Sequence, residues 1–282
     1  MTTNRARLLA AVRAGLTRGG IELRQTFTTA QDLWTYLFPT AALLVVMVFM
    51  RGHTVAGTGF SLGSRTLPST LGMGVAFSLI TLATGLTIER EDGTLLRNKA
   101  IPGGMTGYLI GKIVTVSGVT LIALVLQLVP GLFLLDGFTI SWPTFAWVVV
   151  LGLVATLPIG AIAGSLLSST RSMGLIMLPM IGLIALSGIF YPIGNYPGWL
   201  QGVAQIFPVY WLGLGMRSAL LPGSMAAVEL GHSWRHLETA GVLTAWAILG
   251  LIVAPIVLRR MAQRESGSSV AARREKVLQR IT

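Results

Sequence analysis

Residues 113–135 have the sequence IVTVSGVTLIALVLQLVPGLFLL, which contains no charged residue over 23 positions. A helix needs about 20 mostly apolar residues to cross the roughly 30 Å hydrocarbon core of a bilayer. A surface helix of a soluble domain would carry polar residues along one face over such a length. The stretch therefore predicts a helix that spans a membrane.

The composition of the whole chain agrees with this prediction. Of the 282 residues, 53% are apolar and only 11% are charged, and the mean hydropathy is +0.73. Soluble domains carry about 25% charged residues, so this chain lacks the residues for a water-facing surface. The absence of cysteine excludes disulfides, thiolate metal sites and cysteine nucleophiles. We therefore predict an all-α membrane protein.

Five further stretches are long and apolar enough to span a bilayer. They make six predicted transmembrane helices together with residues 113–135, and they are residues 33–50, 66–88, 142–169, 172–191 and 239–258. Residues 192–216 are also uncharged, but prolines and glycines interrupt any continuous helix there. We expect residues 187–216 to form an external re-entrant hairpin between spans five and six.

The lysines and arginines are distributed unevenly between the two sides that six spans create. Seventeen of the 21 lie on the side of both termini, and four are assigned to the other side, namely Arg51, Arg65, Arg217 and Arg235. Short loops rich in lysine and arginine stay in the cytoplasm, so both termini of this multi-pass protein of the cytoplasmic (inner) membrane are predicted to be cytoplasmic. Topology and anionic lipid then explain the net charge of +11, and nucleic acid is not expected as a partner.

The chain divides into three parts. Residues 1–32 are predicted to form a cytoplasmic interfacial helix, because Leu8, Val12 and Leu16 share one face and arginines occupy the others. This helix is either an anchor in the inner leaflet or a lever that passes motion into the first span. Residues 33–258 form a single six-span domain, and residues 259–282 form a basic cytoplasmic tail.

Enzyme chemistry finds little support in the sequence. All three histidines lie outside the predicted spans, so no base accompanies an intramembrane serine, and no phosphate-binding loop occurs. Glu229, His232 and His236 would share one face of a helix. That face is either a solvated interfacial surface or a metal site, and we predict no metal.

Polar residues inside the spans offer a candidate substrate path. Ser78, Thr81, Thr84 and Thr87 recur every three residues along the second span, and Gln127 is the clear amide of the third span. The hydroxyls serve either helix packing or a path for substrate, and Gln127 is expected to bond a carbonyl freed by Pro130. Gly160 and Gly164 have the small-x-x-x-small spacing that lets two helices approach closely.

The loop after the second span, residues 89–102, concentrates charge on the cytoplasmic face. Three acidic residues precede Gly93 and Thr94, and a short amphipathic segment then ends at Pro102. This pattern predicts a small helix across the membrane face, which is either solvated or a docking element. Exposed Leu95, Leu96 and Ile101 would favour docking, because a partner must cover them.

Two motifs resemble signatures of the permease subunits of type-2 ABC exporters, particularly the drug-resistance branch similar to daunorubicin exporters. The family's E-x-x-x-G-T motif corresponds to Glu89, Gly93 and Thr94, and a Gly-Lys pair corresponds to Gly111 and Lys112. The second motif leads into the hairpin and corresponds to Ser187, Gly188, Phe190, Tyr191, Pro192, Pro197, Trp199, Leu200, Phe207, Pro208, Tyr210 and Arg217. The chain departs from related exporters at Asn98, where they often have an apolar residue.

The resemblance implies a permease that performs no covalent chemistry. Its partners would be two copies of an ATP-binding subunit, which hold ATP and Mg²⁺, and a second permease copy, identical or closely related. The implied coupling residues are Glu89, Glu91, Gly93, Thr94, Leu95, Leu96, Arg97 and Pro102. The implied external gate comprises Gly188, Phe190, Tyr191, Pro192, Pro197, Trp199, Phe207, Pro208 and Tyr210.

The implied function is ATP-driven export of a hydrophobic or amphipathic substrate, such as a drug-like molecule, a lipid or a glycan-lipid. An ion-coupled secondary transporter is the alternative. Such a transporter would carry an ionisable residue inside the membrane, and none lies within the six predicted spans. The sequence therefore favours the exporter permease, which has no cofactor of its own.

Overall fold

A computed structural model of the chain describes residues 2–28, 30–55, 59–99, 101, 104–167, 169–189 and 193–264. The regular structure of these residues is helical, apart from one isolated bridge between Thr54 and Ser61. The α-helices in this part of the chain are α1 Thr2–Thr26, α2 Ala30–Phe49, α3 Leu62–Glu91, α4 Thr94–Lys99, α5 Gly104–Leu134, α6 Trp142–Leu166, α7 Gly174–Leu186, α8 Gly198–Ile206, α9 Pro208–Leu220 and α10 His236–Arg264. The predicted all-helical class is confirmed.

Four of the described helices are long and apolar enough to cross a membrane. They are α3, α5, α6 and α10. Two shorter apolar segments, Phe38–Gly52 and Arg171–Leu186, overlap the first and fifth predicted spans. The chain is therefore a multi-pass helical membrane protein.

Helix α3 begins earlier than the sequence predicts. The Ser61 side chain caps its first turn by accepting a hydrogen bond from the backbone N–H of Ser64. The helix therefore starts at Leu62, four residues before the predicted boundary at 66. This extension places Arg65 in the first turn of α3, whereas the predicted span begins one residue after it.

Helices α3, α6 and α9 form the centre of the fold. Helix α3 packs against α5, α6 and α9, while α10 packs against α6 and α9. Every residue of α9 is buried except Ser218, which is half-buried. The second arm of the predicted external hairpin is therefore a core helix, because its apolar side chains find partners on three neighbouring helices.

Two glycines allow α6 to approach α3 closely. A Cβ at Gly160 would lie 2.5 Å from the Leu79 carbonyl oxygen, and one at Gly164 would lie 2.7 Å from that of Ala83. The close packing predicted for Gly160 and Gly164 is confirmed, and their partner is α3. Any larger residue at either position would push α6 away from α3.

A second close approach, which was not predicted, joins a glycine stripe of α1 to one of α5. A Cβ at Gly15 would lie 2.6 Å from the Gly107 carbonyl oxygen, and one at Gly19 would lie 2.7 Å from that of Gly111. Both stripes have the small-x-x-x-small spacing, which was the available signal. Helix α1 is thus packed along α5, and not attached to the rest of the chain through its connection to α2 alone.

Candidate functional site

The turn between α3 and α4 is built by a helix end followed at once by a helix start. Helix α3 ends at Glu91, and the backbone N–H of Asp92 donates to the Ile88 carbonyl at 2.9 Å. Gly93 has a φ of 76°, a left-handed conformation that glycine adopts without strain. Thr94 then begins α4. The short helix predicted from the Gly-Thr pair is therefore present.

The exposure of the apolar residues in this segment differs from the prediction. Leu95 is only 2% exposed and belongs to the same core cluster as Tyr108. The expectation of an exposed Leu95 is wrong, because α3 and α5 pack against α4. Ile101 is 59% exposed and presents an apolar side chain at the surface. The side chain of Leu96 and the whole of Pro102 lie outside the described residues.

Five side chains from four helices form what we call the Lys112 cluster, which comprises Arg18, Glu22, Glu89, Asn98 and Lys112. Lys112 Nζ donates to Glu22 Oε2 at 2.9 Å and is also ion-paired with Glu89. Arg18 donates from Nε to Glu22 Oε1 at 2.9 Å and from Nη1 to Asn98 Oδ1 at 2.8 Å. The cluster therefore links α1, α3, α4 and α5.

The charges of the Lys112 cluster balance. Its two cations face two carboxylates, and its charged side chains are between 13% and 32% exposed. Burial acts to raise the pKa of Glu22, but hydrogen bonds and charges from Lys112 and Arg18 outweigh burial and hold that pKa below its usual range. Asn98, the departure from related exporters, is explained because its amide oxygen accepts from Arg18.

A second charged group, which we call the Glu229 cluster, comprises Arg65, Ser69, Arg217 and Glu229. Arg217 binds Glu229 through two parallel hydrogen bonds, Nε to Oε1 at 2.8 Å and Nη2 to Oε2 at 2.9 Å. Arg65 Nη2 donates to Glu229 Oε1 at 3.2 Å, and Arg217 Nη1 donates to Ser69 Oγ at 3.1 Å. The three charged side chains are at most 3% exposed.

The Glu229 cluster corrects one expectation from the sequence. Its two arginines, Arg65 and Arg217, belong to α3 and α9. Glu229 is buried and does not lie on a solvated face. Burial acts to raise the pKa of Glu229, but the charges of Arg217 and Arg65 outweigh burial and lower it. Arg65 is the fourth residue of α3 and lies just before the predicted span at residues 66–88, so the six predicted spans still contain no ionisable residue.

The two histidines near Glu229 do not join it. Gly231 and His232 have φ values of 76° and 52°, so the segment is not the regular helix that the spacing assumed. His232 and His236 are exposed, and Nδ1 of His232 lies 2.7 Å from the Ala227 carbonyl oxygen. Among the described residues, no group of three or more His, Cys, Asp or Glu side chains is arranged to hold a metal ion.

The structure scatters the residues of the predicted external gate. Trp199 on α8 is 71% exposed, whereas Tyr210 on α9 is fully buried against Trp211. Phe207, between the two helices, stacks on Trp246 of α10 with ring centroids 6.1 Å apart.

Three further gate residues occupy helix boundaries in the same region, and three cannot be placed. Gly188 follows α7 with a φ of 74°, Pro197 precedes α8, and Pro208 begins α9. Phe190, Tyr191 and Pro192 lie outside the described residues. The described gate residues are therefore spread from the core to the surface.

The intramembrane polar residues bond mainly to neighbouring helices and to their own backbone. Ser78 lies 2.9 Å from the hydroxyl of Thr156 on α6, and Thr81 donates to the Phe77 carbonyl. Gln127 Nε2 donates to Thr70 Oγ1 on α3 at 2.7 Å. The expectation that Gln127 bonds a carbonyl freed by Pro130 is therefore wrong.

Thr84 and Thr87 complete this ridge of hydroxyls. Thr87 is buried and donates to the Ala83 carbonyl, and Thr84 is half-buried. Within one copy of the chain, the contacts of Ser78 and Gln127 join α3 to α6 and α5 and favour packing.

These features define the class of protein, which is an all-helical, multi-pass membrane protein with a charged short helix between two long spans. The family described as ABC-2 family transporter protein matches residues 61–258, more than two thirds of the chain. The chain belongs to this family, which confirms the resemblance to ABC-2 type permeases. It is a transmembrane subunit and not itself the ATPase, and permeases of this family normally work with an ATP-binding subunit.

The family match covers part of the chain and not its first two helices. No curated protein matches the chain significantly. The family match begins at Ser61, so it includes α3 to α10 and leaves α1 and α2 before it. The Lys112 cluster therefore joins the matched region to a helix that precedes it.

Proposed function

We propose that the chain is the permease subunit of an ATP-driven exporter, similar to the drug-resistance branch, in the cytoplasmic membrane. It moves a hydrophobic or amphipathic substrate outward, in the class of drug-like molecules, lipids and glycan-lipids. It works as a dimer of permease copies with two ATP-binding subunits, which hold ATP and Mg²⁺. Family membership supports the transport role, and the apolar substrate class follows from the resemblance.

The proposed topology has six spans with both termini in the cytoplasm. Residues 1–32 form the interfacial helix, residues 33–258 the transmembrane domain, and residues 259–282 the cytoplasmic tail. The distribution of the lysines and arginines supports this orientation, because seventeen lie on the side of the termini and four on the other side.

The observation that carries the coupling role is the position of α4 in the Lys112 cluster. Asn98 of α4 is bonded to Arg18 of α1, and Glu22 of α1 is bonded to Lys112 of α5. Lys112 in turn pairs with Glu89 at the end of α3. A partner that displaces α4 therefore pulls on α1 and on two long spans at once. In this proposal α1 acts as a lever and not merely as an anchor.

The contact with the ATP-binding subunit is proposed to use the surface of residues 89–102. Asp92, Arg97 and Ile101 are exposed there, so they supply charge and one apolar anchor. The external hairpin, residues 187–216, is proposed as the outer gate, and exposed Trp199 is its most accessible aromatic residue.

Substitution of Ile101 tests the docking surface. Ile101→Asp should weaken capture of the ATP-binding subunit about fivefold, because loss of an apolar anchor commonly costs about 1 kcal/mol. Capture is measured by co-purification of the complex from membranes. Leu237→Asp is the control, since Leu237 is also an exposed aliphatic residue, at the start of α10, and lies outside the proposed contact.

Two results would contradict the proposal. One is ATP hydrolysis by the purified permease alone. The other is equal capture by the Ile101→Asp variant and wild type. Leu95→Asp is unsuitable as a test, because Leu95 is buried and its replacement would disturb the core.

A further inference from the structure

A groove separates the first turns of α5 from the last turns of α10. These helices have different main partners, since α5 packs on α1 and α3 while α10 packs on α6 and α9. The cavity between them has a volume of about 370 Å³. This is within the usual range of small-molecule sites, roughly 300–1,000 Å³, and far exceeds the roughly 30 Å³ that one water occupies.

The lining of the groove changes from apolar to polar along the helix axes. Leu109 on α5 and Pro255 on α10 lie towards the middle of their helices, and Leu258 is buried beside them. Arg259 and Gln263 lie nearer the end of α10. From Pro255 to Gln263 the groove extends about 12 Å along α10, at 1.5 Å per residue.

This polarity matches the boundary between hydrocarbon and headgroups. The polar region of each leaflet is roughly 5–8 Å thick, from the difference between the full bilayer and its hydrocarbon core. With its polar end among the headgroups, a groove about 12 Å long extends beyond this polar region into the hydrocarbon. Thr106, at the start of α5, adds a hydroxyl beside the arginine end.

The charge of the groove selects the sign of its ligand. Among the described residues that line the groove, Arg259 is the charged one and none is acidic. Cytoplasmic leaflets are rich in anionic lipids, and basic pockets between helices on that side suit their headgroups. A zwitterionic lipid also carries a phosphate, but its own choline cation offsets the attraction to Arg259, whereas an anionic headgroup has no such offset.

We propose that the groove between α5 and α10 binds one anionic phospholipid of the cytoplasmic leaflet, with its phosphate at Arg259 and an acyl chain against Leu109 and Pro255. The proposal rests on the proposed orientation, which places this end of α10 in the cytoplasm. The bound lipid would contact the first turn of α5, which begins at Gly104, directly after the segment at residues 89–102. Lipid composition would then influence the coupling segment through the first turn of α5.

Lipid titration of the purified full-length chain tests this proposal. Binding of dioleoyl phosphatidylglycerol and dioleoyl phosphatidylcholine in neutral detergent is counted by native mass spectrometry. The wild type should bind phosphatidylglycerol about fivefold more tightly than phosphatidylcholine. One arginine near an anionic headgroup contributes about 1 kcal/mol, which corresponds to that ratio. Arg259→Gln should bind the two lipids equally. Arg260→Gln is the matched control, because Arg260 is exposed on the same turn and does not line the groove.

A second variant separates the groove from general attraction of lipid to cations. Thr106→Trp fills the groove and keeps every charge, and it should lose the bound phosphatidylglycerol. Equal binding of both lipids by the wild type would overturn the proposal, as would unchanged binding by Thr106→Trp or equal losses in Arg259→Gln and Arg260→Gln. None of these measurements requires ATP or transport, so they fail or succeed independently of the exporter assignment.

Discussion

The Lys112 cluster and the Glu229 cluster are built from the same residue types but in opposite environments. The charged side chains of the Lys112 cluster are 13–32% exposed, and those of the Glu229 cluster are at most 3% exposed. The first cluster is neutral and spans four helices. The second holds two arginines against one glutamate, so it leaves a net positive charge in the interior of the fold.

This difference shows what each cluster contributes. A charge buried without its partner costs several kcal/mol, whereas a partly exposed charge regains some water when a bond breaks. The Glu229 cluster therefore holds α3, α9 and the following loop in one arrangement. The bonds of the Lys112 cluster cost less to break than those of the Glu229 cluster, which suits a joint that moves with α4.

Loss of the buried carboxylate should have the largest effect. Glu229→Gln leaves Arg65 and Arg217 buried without a counter-charge, and breaking such a pair costs on the order of 3–5 kcal/mol. The purified variant should melt well below the wild type in detergent or fail to accumulate. Glu238→Gln is the control, because Glu238 pairs with Arg235 at the surface. This variant should melt like the wild type. Equal melting of Glu229→Gln and wild type would show that the buried cluster is dispensable.

Loss of the central cation of the Lys112 cluster should have an intermediate effect. Lys112→Met removes the shared partner of Glu22 and Glu89, and charged hydrogen bonds contribute roughly 1.5–3 kcal/mol each at most. The variant should fold and assemble, but transport per ATP hydrolysed should fall. Lys112→Arg keeps the charge and should retain most of the coupling. A Lys112→Met complex with normal transport per ATP would argue that the cluster is purely structural.

The bond between α1 and α4 should matter more for coupling than for stability. Asn98→Leu removes the acceptor for Arg18, a partly exposed bond that contributes about 1 kcal/mol. Thermal stability should change little, while the ratio of transport to ATP hydrolysis should decrease in reconstituted vesicles. Asn98→Asp, which keeps an oxygen acceptor, should preserve the ratio. If both variants transported normally, α1 would be an anchor and not a lever.

Acidification should produce the smallest difference. The pKa of Glu22 is lowered in the folded state by Lys112 and Arg18, so its stabilising effect is present above the ordinary glutamate pKa and lost as the pH falls through the lowered value. Melting temperatures measured from pH 7 down to pH 4 should decrease more for wild type than for Glu22→Gln. If the melting temperatures of the two proteins decreased in parallel with pH, the ion pairs of Glu22 would contribute no stability.

Much of the helical architecture could be predicted from local sequence. The stretch at residues 113–135 lies almost entirely in α5, and the Gly-Thr pair marks the start of α4. Gly160 and Gly164 pack closely against α3 as their spacing predicts. These features depend on residues a few positions apart, so their signals are present in a single sequence.

Features that depend on distant partners could not be predicted in this way. Leu95 has the sequence environment of a surface residue, yet α3 and α5 cover it. Gln127 bonds Thr70 on another helix and not its own backbone. The glycine stripes of α1 and α5 were visible as spacing, but nothing local indicates that the two stripes face each other.

The sequence is sufficient to identify a helical membrane protein, because a long uncharged helix satisfies its own backbone hydrogen bonds within a bilayer. It also determined the family, because two motifs lie in order among the predicted spans and the family match covers most of the chain. Which charges are buried depends on packing between distant parts of the chain. Arg65 and Glu229 are 164 positions apart, and they pair only where α3 packs against the segment that follows α9.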